Sequence, residues 1–128
     1  MNNFELILPN YFIINGKKLQ INLNIYRNLN YHTNNRLKKK YLSYIANELK
    51  LGIVSNPIEI ILQYSAANEN SDLDNLMVHF KYLNDALQTL KIIKNDNVRC
   101  VKRLSIEYIG KGEKVVNCIC RDYRGDYG

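Results

Sequence analysis

A chain of 128 residues has the length of one domain, and at 46% hydrophobic it can bury a core of its own. Its charge, +6 overall, is skewed: residues 1–50 hold eight Lys or Arg and two acids, and residues 51–128 hold ten of each. That skew fits one cationic surface facing a polyanion, and equally a solvated lysine-rich face. No run approaches the roughly 18 apolar residues of a membrane span, and no secretory leader precedes Phe4, so a cytoplasmic protein without membrane contact is expected.

In chain order, "NFELILP" alternates and stops at Pro9, which predicts a first strand. "YFIINGKKLQINL" places Asn15-Gly16 between two apolar runs, the strongest short hairpin signal. "NIYRNLNYHTNN" lacks a clean period and reads as loop. Thr33 then caps a helix over "NNRLKKKYLSYIANELKLG", with Leu37, Tyr41, Tyr44, Ile45 and Leu49 inward and Gly52 as its stop. "PIEIILQYS" reads as a mostly buried strand and "AANEN" as loop. Leu73, Leu76, Met77, Phe80, Leu83, Leu87 and Leu90 recur at helical steps, so a second helix runs from Asp72 to about Leu90. After the turn "KNDN", "VRCVKRLSIEYIG" and "EKVVNCICRDY" form a hairpin across Gly110 to Gly112. Cys118 and Cys120 share a strand face and, with Cys100, are expected to be buried reduced thiols. The predicted fold is a single α+β domain over residues 1–128: a mixed sheet of about five strands with two main helices packed on it.

The second helix gathers acids. Asp72 serves as its cap and Asp74 falls in its first turn, where carboxylates favour the helix dipole. Asp74, Lys81 and Asp85 are seven and four residues apart, which on a regular α-helix sets them along one stripe. Asp96 follows in a short loop. If that loop folds back, Asp72, Asp74 and Asp96 make an oxygen-only site for a hard cation such as Mg²⁺. A bound Mg²⁺ lowers the pKa of a water and steadies charge on a phosphate, and Lys81 would add a cation there. The structural alternative for Lys81 is an i,i+4 pair with Asp85.

"DLDNLMVHFKYLNDALQTLKIIKNDN" resembles the signature of the RusA-like Holliday junction resolvases, in the form found in Gram-positive bacteria and their phages. There an Asp-x-Asp-Asn start is followed by a lysine, a "DAL" and an acidic turn. The match covers Asp72, Leu73, Asp74, Asn75, Lys81, Asp85, Ala86, Leu87, Asn95 and Asp96. Upstream, "LNIYRNLNYHTNNRLKKKYLSYI" is similar to the family's loop and basic helix. The resemblance implies a RusA-like fold in a homodimeric, Mg²⁺-dependent endonuclease, with Mn²⁺ able to substitute, that cuts four-way DNA junctions symmetrically. It implies catalytic and metal-binding roles for Asp72, Asp74 and Asp96. The catalytic lysine is Lys81 when counted back from "DAL"; counting forward from "DLDN" reaches Val78. Asn75 and Asp85 fall into supporting positions. One departure is Asn68 to Ser71, "NENS", where many relatives carry arginine or lysine. It motivates the alternative of a RusA-fold DNA-binding or regulatory dimer with cleavage weakened or lost.

"RLKKK" puts Arg36, Lys38, Lys39 and Lys40 on just over one helical turn, with Arg36, Lys39 and Lys40 on a shared face suited to phosphates. Arg27 lies in the preceding segment as a further DNA contact. His32 and His79 have no metal partner at useful spacing, and no feature points to reading bases in a groove. A structure-selective DNA binder, in bacterial cytoplasm and of host or phage origin, is the resulting expectation.

Overall fold

The computed structural model describes residues 4–49, 57–67, 73–95 and 97–124. β1 (Phe4–Leu8) stops at Pro9, which has no N–H to carry a ladder further. β2 (Tyr11–Ile14) and β3 (Lys17–Gln20) pair as a two-stranded antiparallel sheet of their own. Asn15 at φ 53° and Gly16 at φ 77° make the turn between them, since a tight hairpin matching strand twist needs positive φ at both positions. The Asn-Gly signal is borne out.

The asparagine-rich stretch is not the loop expected. α1 (Leu23–Asn28) is capped by Asn22, whose side chain accepts from the Ile25 N–H at 2.8 Å. α2 (Tyr31–Glu48) is capped by Asn30, which accepts from the Thr33 N–H at 2.8 Å, so Thr33 lies inside the helix it was expected to cap. Asparagine starts helices as readily as it makes turns, and two caps eight residues apart mimic a loop composition. α2 buries Leu37, Tyr41 and Ile45, with Leu49 following. Tyr44 is half-buried and donates its hydroxyl to the Ile7 carbonyl, tying α2 to β1. The expected stop at Gly52 lies outside the described residues.

The second long helix ends as expected and begins differently. Residues Leu73–Met77 form a 3₁₀ turn, and α3 runs from Val78 to Thr89. At its end Lys91 takes φ 61°, its N–H bonds the Gln88 carbonyl at 3.0 Å, and the Ile92 N–H bonds the Leu87 carbonyl at 2.9 Å. That is a Schellman closure with lysine where glycine is usual, and it turns Ile92 and Ile93 back into the core.

β4 (Ile58–Ala66), β5 (Val101–Lys111) and β6 (Val115–Asp122) complete a mixed four-stranded sheet in the order β1-β6-β4-β5. β4 runs parallel to β5 and antiparallel to β6. The expected β5–β6 hairpin is therefore overturned, because β4 lies between the two strands. A sequence signal for chain reversal fixes direction and not adjacency. β4, whose residues are almost all buried or half-buried, takes a neighbour on each side. The connection arches over its end, where the Gly112 N–H bonds the Ala66 carbonyl at 3.1 Å and the Ser65 hydroxyl donates to the Glu113 carbonyl at 2.7 Å.

One core cluster joins the inner sheet face (Leu8, Ile60, Leu62, Val116, Cys118) to α2 and α3. Burial pushes the Cys118 thiol up to about 12 and that of Cys120 higher, while Cys100 is half-buried, so two of the three cysteines match expectation. None of the described helices is long and apolar enough to cross a membrane.

Candidate functional site

The aromatic residues fix how the helices meet. Tyr82 of α3 stacks on Tyr41 of α2 at 5.4 Å and takes the edge of Tyr26 of α1 at 5.9 Å. Tyr41 meets Phe12 of β2 at 6.2 Å, and its hydroxyl is 2.9 Å from Nδ1 of buried His79. Burial, reinforced by the Lys114 charge, lowers the His79 pKa to about 3, so the imidazole is neutral and structural. Burial likewise drives the Tyr41 hydroxyl well above its usual value. Neither group is set up for acid–base work near neutral pH.

The open side of the helix pair carries the exposed charges. Lys81 is exposed one turn into α3, its Nζ 5.6 Å from the centre of the Tyr26 ring. Asp85, one turn further, reaches across to Lys38 of α2 at 3.9 Å rather than back to Lys81. Both partners are about half exposed, so this pair contributes at most about 1 kcal/mol. Lys38, Lys81, Asp85 and Tyr26 line one open cavity of about 560 Å³. Val78, the other position that counting from the motif reaches, is fully buried. Of the two, only Lys81 presents a cation to solvent.

Asp74 lies in the 3₁₀ turn and is exposed, while Asn75 beside it is half-buried. A 3₁₀ turn advances about 120° per residue against about 100° in an α-helix, so its three steps from Asp74 to Met77 add about 60° of rotation. Counted through that turn, Asp74 falls about 40° from Lys81 and about 80° from Asp85 around the axis, so the expected stripe is broadened: Lys81 and Asp85 share the cavity, and Asp74 is not among its walls. Leu76 anchors this turn in the core. Asp72 and Asp96 lie outside the described residues. Among the described residues, no three of His, Cys, Asp and Glu stand together as a metal site. Asp74 is thus the one member of the expected Mg²⁺ set whose setting is known, an exposed oxygen donor of the kind a hard cation takes.

The cations expected to touch DNA divide by direction. Arg27 ends α1 and is exposed. Arg36 donates to the Asn15 side chain at the hairpin tip at 2.5 Å. Lys38 faces α3, Lys40 lines a groove against β2, and Lys39 lines both that groove and a concavity against α3. Tyr26, which forms a wall of the Lys81 cavity, was missed because its segment reads as loop. The signal for it was the Asn22 cap three residues before Ile25. No model of a known protein family matches the chain, and no curated protein matches it.

Proposed function

We propose that this protein is a Mg²⁺-dependent, structure-selective endonuclease that resolves four-way DNA junctions by paired symmetric cuts, acting as a cytoplasmic homodimer. The observation that carries this reading is convergence. Lys38 from the basic helix and Lys81 from the motif helix line one open cavity, one turn beyond the 3₁₀ segment that presents Asp74. A phosphodiester needs this kind of neighbourhood: cations that hold phosphate, and carboxylate oxygens close by.

Asp72, Asp74 and Asp96 are the residues that would hold the metal. When bound, Mg²⁺ supplies an activated water and charge stabilisation at the phosphate. Lys81 neutralises charge developing on the non-bridging phosphate oxygens, as a point charge on a flexible stem. Arg27, Arg36, Lys38, Lys39 and Lys40 contact the backbone without reading sequence, which gives binding that weakens with salt. A two-fold pair of subunits would match the two-fold symmetry of a junction.

A second reading has its own support. The absence of Asp74 from the walls of the Lys81 cavity, together with "NENS" ahead of the motif, suits a RusA-fold DNA-binding or regulatory dimer with weak or absent cleavage. A gel assay of four-way, forked and linear DNA with and without Mg²⁺ separates the two. Under the nuclease reading, Asp74→Asn lowers cleavage at least about 1,000-fold, about 4 kcal/mol, while junction affinity holds or rises. Undiminished cutting by that variant overturns the reading. Tight junction binding without products in Mg²⁺ or Mn²⁺ would establish the second.

A further inference from the structure

Three concavities lie side by side across α2. The first, about 560 Å³, is the one that Lys81 and Lys38 line. The second, about 410 Å³ between α2 and α3, has Lys38 and Lys39 in its wall. The third, about 460 Å³ between α2 and the β2–β3 hairpin, is lined by Phe12, Lys39, Lys40, Ser43, Tyr44 and Asn47. Lys38 is common to the first two and Lys39 to the last two. They join into one run from α3, over the basic helix, to the hairpin.

The composition of this run is uneven. Asp85 stands in the first two concavities and holds Lys38 at 3.9 Å, moderating the charge there. Among the described residues, no acid lines the third, although the Glu48 charge reaches the Tyr44 hydroxyl from its rim. The local charge is mostly positive: between Glu5 and Glu48 the chain has no Asp or Glu, and carries Lys17, Lys18, Arg27, Arg36, Lys38, Lys39 and Lys40. Among the residues lining the third groove, the half-buried Phe12 and Tyr44 rings meet edge-on at 6.4 Å. Its walls are fixed to one another, by Arg36 to Asn15 at the hairpin tip and by the Phe12–Tyr41 contact below.

From this we infer that the groove between α2 and the hairpin binds an unpaired nucleic-acid strand, which reaches it along the lysines of α2 from the Lys81 cavity. Cationic rims over recessed aromatic rings are the general design for single strands, whose phosphates track the charge and whose bases stack on the rings. A duplex keeps its base faces stacked inside and offers only edges and backbone, so rings set among the lysines would have nothing to stack on. An anionic membrane would touch the rim ammoniums and leave the rings unused. The inference rests on the nuclease reading and adds to it the strand that the substrate carries: a junction or fork with a single-stranded arm is preferred to one with four blunt arms.

The test is fluorescence anisotropy in EDTA, where nothing is cut, with a single-stranded oligonucleotide, a blunt four-way junction and the same junction bearing one unpaired arm. The double variant Ser43→Glu/Asn47→Glu places two anions in the groove at exposed positions of α2. Lys102→Glu, exposed on β5 at the other edge of the sheet, makes the same charge change away from it. The groove variant should bind the single strand at least about 10-fold more weakly, and Lys102→Glu should stay within about 3-fold. Lys39→Ala/Lys40→Ala should reduce the slope of log affinity against log salt by about 1.4 for the single strand. Equal losses from the groove variant and Lys102→Glu, or a wild-type protein indifferent to the unpaired arm, overturn the inference. If the blunt junction is still cleaved in Mg²⁺ in that case, the nuclease reading survives alone. Groove-dependent strand binding with no cleavage leaves the inference standing without it.

Discussion

The two faces of α3 have little in common. The inward face, with Val78, His79, Tyr82, Leu83, Ala86 and Leu87, is buried throughout and locked to α2 by ring contacts. The outward face presents Lys81, Asp85 and Gln88, all exposed, and the Lys38–Asp85 ion pair there is long and half-solvated. The comparison teaches that buried packing and exposed charge are carried by separate residues on one twelve-residue helix. Changes on the inward face should therefore alter folding, whereas changes on the outward face should leave melting alone and, under the nuclease reading, alter phosphate handling.

The strongest attack on that division after Asp74→Asn is Leu83→Ala. Leu83 is fully buried, so the truncation should cost about 3 kcal/mol in urea unfolding, from lost transfer energy and the cavity left behind. A loss under about 1 kcal/mol would mean that the helix is not packed as described. His79→Gln tests the same face through pH. Its native pKa of about 3 lies below the unfolded value of 6.5, so between those values the unfolded chain takes up a proton that the fold refuses. Stability should thus fall on acidification, by up to about 1.4 kcal/mol per pH unit from this group, beginning near pH 6.5. His79→Gln removes that component while keeping a polar partner for Tyr41, and an unchanged slope of the denaturation midpoint against pH would refute the assignment. The smallest effect belongs to Lys91→Gly at the helix end. Relief of a left-handed lysine should raise stability by about 0.5–1 kcal/mol, read as a small increase in the urea midpoint.

The cation face of α2 was legible because its period is local: Arg36, Lys39 and Lys40 point outward wherever the helix packs, with Leu37 and Tyr41 turned in. What those cations face was not legible. Lys39 and Lys40 meet a hairpin more than twenty residues earlier in the chain, and Lys38 meets Asp85 nearly fifty residues later. The expected stripe of Asp74, Lys81 and Asp85 is broader than read, for a subtler reason. The spacing of apolar residues is compatible with either a 3₁₀ or an α start, and the structure takes the tighter turn, with Leu76 buried and Met77 exposed. Asparagine misled in one place and served in another. At Asn15 it turned a hairpin, as read, and at Asn22 and Asn30 it opened helices that were read as loop.

By itself the sequence determined the α+β class, the Asn15-Gly16 hairpin, the inward stripes of α2 and α3, and the extent of β4, because periodicity and turn chemistry act within a few residues. Only the tertiary structure decided that β4 separates β5 from β6, that α1 brings Tyr26 beneath Lys81, and that three concavities join across α2. Strand order and groove walls arise from burying faces that lie far apart in the chain, and no local pattern encodes which distant face will be the partner.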